Sequence, residues 1–98
     1  MITRKYEAMF ILKIEISEEE KQEVYGQIKD TIAKNGGTIT NAAVWNEKRK
    51  MTFPIKKHQE GLYYLVTFTS PAESIVKMKQ IFHINENILR VLITSQEK

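Results

Sequence analysis

The chain has 98 residues, 42% of them hydrophobic, no cysteine and a formal charge of +3. That suffices for one domain with its own core, and it excludes disulfides, thiolate metal sites and a cysteine nucleophile. The longest apolar run, Ala8–Leu12, falls far short of the ~20 residues of a membrane-spanning helix, and the basic start leads into no apolar stretch of the secretory-signal kind.

The elements follow in chain order. Residues 4–13 read as a strand, with Tyr6, Ala8, Phe10 and Leu12 on one face and Glu7, Met9, Ile11 and Lys13 on the other. The second face is apolar in its middle, so this strand is expected to be central and partly covered on both sides. Ser17–Lys34 reads as a helix. Ser17 and Glu20 form a capping box, Glu18, Glu19 and Glu20 suit the positive end of the helix dipole, and Val24, Ile28 and Ile32 make an apolar stripe. Gly36 and Gly37 stop it. Gly26 within it costs about 1 kcal/mol relative to alanine, which suggests room for a close neighbour.

Thr38–Phe53 reads as a second strand whose alternation breaks at Ala42-Ala43 and at Asn46, which predicts a bulge or bend. Pro54 lacks an N–H and belongs at a strand end or an edge. Lys56 to Gly61 reads as a polar connection holding His58. Leu62–Thr69 is a third strand with Leu62, Tyr64, Val66 and Phe68 on one face, so Tyr63 and Tyr64 point to opposite sides. Ser70, Pro71 and Glu73 read as the cap, first position and capping-box partner of a second helix, with Ile75, Met78, Ile81 and Phe82 as its buried stripe and His83 near its end. Ile88–Thr94 is the last strand, followed by a polar tail.

The order strand, helix, strand, strand, helix, strand predicts an α+β, ferredoxin-like fold in one domain over residues 1–98. Its βαββαβ chain makes a four-stranded antiparallel sheet with both helices on one face. Strands that are apolar on both sides then leave apolar residues on the uncovered face, a mark of a partner site.

Catalytic chemistry finds little footing. The one glycine pair follows a helix instead of opening one, His58 and His83 stand apart, and neighbouring glutamates on a helix diverge. No cofactor and no metal site is expected. The stretch Glu60–Phe68 resembles the third-strand motif of the RNA-recognition module only weakly, since it begins with the wrong charge and lacks a small residue between its aromatics. Positive charge concentrates in residues 37–60, which carry a net +3, against −2 for residues 17–36. Lys48, Arg49 and Lys50, with Lys56 and Lys57, fit a lysine-guarded edge strand and a phosphate-contacting ribbon equally; Lys48 and Lys50 would share a face opposite Arg49.

These residues resemble a known family. Arg4-Lys5-Tyr6-Glu7 is similar to the opening of the bacterial small ribosomal subunit protein six family. Trp45 followed by Arg49-Lys50-Met51-Thr52-Phe53-Pro54-Ile55-Lys56-Lys57 resembles its Arg-x-Leu-Ala-Tyr-Pro-Ile-x-Lys segment, and Asn85–Leu92 resembles its last strand. Asn46 replaces a common glycine, His83 a common arginine, and the spacing from Trp45 to Pro54 is one residue longer than usual, which fits the bulge. The resemblance implies a structural ribosomal protein of the cytoplasm, without catalytic activity or a small-molecule substrate. It implies binding to the central domain of small-subunit ribosomal RNA together with small-subunit protein eighteen. Arg4, Lys5 and Arg90 become the first candidates for RNA or partner contact, and Lys48, Arg49, Lys50, Lys56 and Lys57 the second. The modest net charge predicts weak binding alone and tighter binding with the partner. A regulatory or small-ligand module that dimerises through its sheet would also explain an apolar face, but not the basic segment. An acylphosphatase-like enzyme would need an arginine in a glycine-rich first loop, where this chain has Lys13-Ile14-Glu15-Ile16-Ser17.

Overall fold

The computed structural model describes residues 3–55 and 58–96, with the side chains of 51–55 and 59 left aside. Its elements are β1 (Thr3–Leu12), α1 (Glu18–Lys34), β2 (Thr38–Ile55), β3 (His58–Pro71), α2 (Ser74–Ile84) and β4 (Ile88–Ser95). The strands form one antiparallel sheet in the order β2-β3-β1-β4. This is the ferredoxin-like arrangement anticipated from the element order. β1 is central, as its two-sided hydrophobicity requires.

One sheet face carries both helices. Tyr6, Ala8, Phe10 and Leu12 of β1 and Leu62, Tyr64, Val66 and Phe68 of β3 meet Val24, Ile28 and Ile32 of α1 and Met78 and Phe82 of α2. Phe10 meets Phe82 edge-on with centroids 4.8 Å apart, and Tyr25 stacks on Tyr64 at 4.4 Å. Such geometries add to what the buried area alone contributes. Ile81, expected within the buried stripe of α2, is exposed instead.

Both ends of α1 are built from local chemistry. The Glu20 N–H donates to Ser17 Oγ at 3.1 Å, and the Glu20 carboxylate accepts from the Ser17 N–H. At the far end the Gly37 N–H donates to the Ile32 carbonyl at 2.8 Å and the Gly36 N–H to the Ala33 carbonyl at 3.2 Å, the two bonds of a Schellman stop. Gly36 supplies the left-handed turn at φ +86°. Gly37 is needed for space, because a Cβ there would lie 2.9 Å from the Ile32 carbonyl oxygen. Gly26 proves different: nothing lies within 4 Å of where its Cβ would be, so no close neighbour explains it.

The second helix departs from the sequence reading. Ser70 and Pro71 are strand residues, paired with Arg4 and Thr3. α2 starts at Ser74 behind Glu73, whose side chain makes no capping bond. Pairing with the central strand holds Ser70 extended and buried, with its hydroxyl donating to the Pro71 carbonyl at 3.0 Å. A local capping motif lost to a tertiary ladder. β3 likewise begins earlier than expected, so His58 is a strand residue and not a loop residue.

β2 lies at the edge, where Pro54 can be tolerated. Its register against β3 shifts between Ile39 and Asn41 and again between Val44 and Asn46. Thr40 and Trp45 are therefore the inserted residues. Ala42 and Ala43, where the first break was expected, pair regularly with Val66 and Leu65. A third shift lies between Asn46 and Arg49, and there the Lys48 N–H donates to Asn46 Oδ1 at 3.1 Å. Beyond the Leu12–Leu62 pair that ends β1, β2 and β3 continue together to Ile55 and His58 as a two-stranded ribbon.

Two stability outcomes follow. Gly36→Ala should lower stability by about 1 kcal/mol through its positive φ, while Gly26→Ala should raise it by about 0.5–1 kcal/mol. Thermal melts should separate the two by several degrees in opposite directions. Burial raises the Tyr64 phenol pKa; burial, then the Glu18 carboxylate, raises that of Tyr25. A group whose pKa is higher folded than unfolded stabilises the fold fully below its unfolded value and loses that contribution as pH rises through the folded one. Denaturant midpoints should therefore fall above about pH 10, and less steeply in the Tyr64→Phe variant.

Candidate functional site

The sheet face away from the helices is graded along its length. Lys5 pairs with Thr69 at one end, followed by Glu7 between Thr67 and Thr94. Next comes an apolar row in which Met9 lies between Leu65 and Leu92, with Ala43 beyond Leu65 on β2. Leu92 is half exposed. The last row places Ile11 between Tyr63 and Arg90.

That last row is the most structured part of the face. Ile11 and Leu89 form a small cluster of their own, buried to 6% and 7% exposure, with Tyr63 packed against them and no helix residue within it. A register shift at Ile11/Leu12 puts Leu89 outside the β1–β4 pairing and lets it join Arg90 on this side. On the other flank Trp45 lies 5.8 Å from Tyr63, ring to ring. The Arg49 guanidinium carbon sits 4.9 Å from the Trp45 centroid and 5.5 Å from that of Tyr63, a cation–π arrangement over both rings. Two arginines thus flank a row of aromatic and aliphatic side chains that runs across all four strands.

The other basic residues are distributed around this end. Lys50 pairs with Glu60 across the ribbon, and Lys48 Nζ lies 3.9 Å from the Glu60 carboxylate. Both stand away from Arg49, as their alternation implies. The root of the ribbon is tied down by His58 Nδ1, 3.1 Å from Glu15 Oε2 of the β1–α1 connection. Behind Arg90, Lys79 and His83 of α2 line a shallow groove with Leu89. Arg4 and Lys5 are on the strand next to Arg90, but at its opposite end, with Lys5 six residues from Ile11 or roughly 20 Å away. The face therefore unites Arg49 with Arg90 and leaves Arg4 and Lys5 apart. Lys56 and Lys57 lie outside the described residues.

Sequence reasoning missed the clustering of Trp45, Tyr63 and Arg49, and the α2 neighbours of Arg90. The Tyr63-Tyr64 doublet signalled one outward ring. Nothing local signalled that two bulges would bring Trp45 and Arg49 beside it.

No group of three His, Cys, Asp or Glu residues able to hold a metal ion occurs among the described residues. Fold and surface define a ferredoxin-like protein whose distinctive feature is an open sheet face with a basic ribbon. Comparison with known proteins then gives the family. Residues 5–95 match the model for Ribosomal protein S6. The small ribosomal subunit protein bS6 of Thermoanaerobacter pseudethanolicus is 39% identical over 90 residues, covering 92% of this chain and 94% of its own length. That of Caldanaerobacter subterraneus subsp. tengcongensis is 37% identical with the same coverage. The crystal structure of 30S ribosomal protein S6 from Thermotoga maritima superposes with a TM-score of 0.88 at 25% identity, covering 97% of this chain and 89% of that one. The chain belongs to the bacterial ribosomal protein S6 family. It is a protein of the small subunit of the cytoplasmic ribosome, in a family of structural proteins and not of enzymes.

The two halves of the open face should respond differently to truncation. Ile11→Ala, at a buried position, should cost about 2–4 kcal/mol, whereas Leu92→Ala should stay within about 1 kcal/mol. Urea denaturation of the two variants measures both.

Proposed function

We propose that this chain, working as one domain over residues 1–98, binds the central domain of small-subunit ribosomal RNA together with small-subunit protein eighteen and so supports subunit assembly. The observation that carries the RNA side is the pairing of Arg49 and Arg90 at one end of the open face, next to a ribbon bearing Lys48 and Lys50. Cations spaced across a surface in this way meet successive phosphates, and each contact gains free energy by releasing a counterion. Lys56 and Lys57, adjacent in sequence, add to this set, and Arg4 and Lys5 serve contacts at the far end of β1.

The protein partner is assigned to the apolar middle of the face. Met9, Leu65 and Leu92 form a row that no helix of this chain covers. Burying it against a second protein removes apolar surface from water at roughly 25 cal/mol per Å². A net charge of +3 makes the electrostatic part modest, so tight binding requires both surfaces to be engaged.

A central-domain RNA fragment titrated with this protein should show weak, salt-sensitive binding that tightens when protein eighteen is added. Replacing Arg49 and Arg90 with glutamine should reduce the slope of log affinity against log salt by about 0.7–0.9 per lost phosphate contact. Absence of specific binding at low and high salt, with and without protein eighteen, overturns the proposal.

A further inference from the structure

Trp45 is the only tryptophan of the chain, and the residue is 54% exposed. Burial would release water from a large aromatic surface, yet the fold presents it outward. The bulge at Trp45-Asn46 sets it on the same face as Tyr63. The two rings are tilted by 53°, so they form an open notch and not a closed stack. Arg49 lies over both rings and takes part in none of the ion pairs found among the described residues.

We propose that Trp45, Tyr63 and Arg49 form a stacking platform for an unpaired base of ribosomal RNA. The inference rests on the RNA-binding function above and adds a contact of a different kind. Phosphate contacts hold any RNA. An exposed indole holds a base by its flat face, and only an unpaired base offers that face, because duplex bases cover each other. The guanidinium, kept in place by the two rings, has its N–H edge available for the phosphate next to the stacked base.

RNA is favoured over an apolar protein segment by charge. An apolar side chain laid on Trp45 would also cover Arg49 and remove it from water without a counter-charge, which is costly. A nucleotide brings a ring for the indole and an anion for the guanidinium together. Arg90 closes the same row from β4 and adds further positive charge on the face that carries the notch.

The single tryptophan makes the test direct. The full chain is labelled with 5-fluorotryptophan, giving one ¹⁹F resonance that reports Trp45 even beside unlabelled protein eighteen. RNA binding is followed independently by the anisotropy of a dye on the RNA. A short single-stranded oligoribonucleotide should shift the resonance and quench the fluorescence of the unlabelled protein, while a duplex of equal length should bind with neither effect. Trp45→Ala should weaken the single strand by roughly 5- to 150-fold, the value of one stacked base, and Trp45→Phe should restore part of it. Arg49→Lys should weaken it with the salt slope unchanged. Thermal melts of each variant confirm folding.

Salt-dependent RNA binding with an unmoved resonance and full affinity in Trp45→Ala overturns the platform and leaves the RNA-binding function standing. A resonance that moves with protein eighteen alone, and not with RNA, makes Trp45 a protein contact and also overturns it. Failure of the single strand to bind at all, by anisotropy, overturns the platform, while the central-domain titration with and without protein eighteen decides the RNA-binding function separately.

Discussion

β1 is hydrogen-bonded on both edges, to β3 and to β4, along nearly its whole length, and the rest of the structure depends on that double pairing. A strand held on both sides has no freedom of register. Shifting it by one residue would turn Phe10 and Leu12 outward and Glu7 and Lys13 into the core. With the register fixed, the even-numbered side chains of β1 form the floor on which Ile28 and Ile32 of α1 and Met78 and Phe82 of α2 pack. The odd-numbered side chains are fixed equally firmly on the other face, whether or not anything covers them. The open face is thus a by-product of the core, and its composition is where function could be written.

The edge strand has the opposite freedom. β2 is paired on one side, so it can insert Thr40 and Trp45 and shift again before Arg49 without disturbing the core. Each bulge increases twist and re-aims side chains. Thr40 offsets part of the cost by donating its hydroxyl to the Thr67 carbonyl at 3.0 Å. Asn46 offsets a further part, its side-chain oxygen accepting from the Lys48 N–H. The aromatic notch and the basic ribbon are both built on this strand, for the same reason. Irregularity is tolerable at an edge and costly at the centre.

How much was legible in the sequence varied with the range of the forces involved. α1 was readable nearly to the residue, because its capping box and its Schellman stop are local hydrogen-bond arrangements. The central place of β1 was readable from its two apolar faces. The start of α2 was not, since Ser70 and Pro71 carry a sound local capping signal that pairing with Arg4 and Thr3 overrides. A break near Asn46 was anticipated, whereas the first break fell at Thr40 and not at the alanines, because alanines fit a regular ladder as well as a bulge. Of the candidate site, the cations were legible as residues but not as a group. Arg90 was grouped with Arg4 and Lys5 through the family resemblance, and an antiparallel register put them at opposite ends of β1.

By itself the sequence determined the element order, the side of each strand that faces the helices, the family and the segment that carries the positive charge. These depend on periodicity and on short-range chemistry, which act over a few residues. Only the tertiary structure decided that Arg49 lies across Trp45 and Tyr63, that Arg90 closes the same row from β4, and that Lys48 and Lys50 turn toward Glu60. Each of these depends on register between strands far apart in the chain. Register is set by the packing of the whole sheet against its helices, and no stretch of sequence contains it.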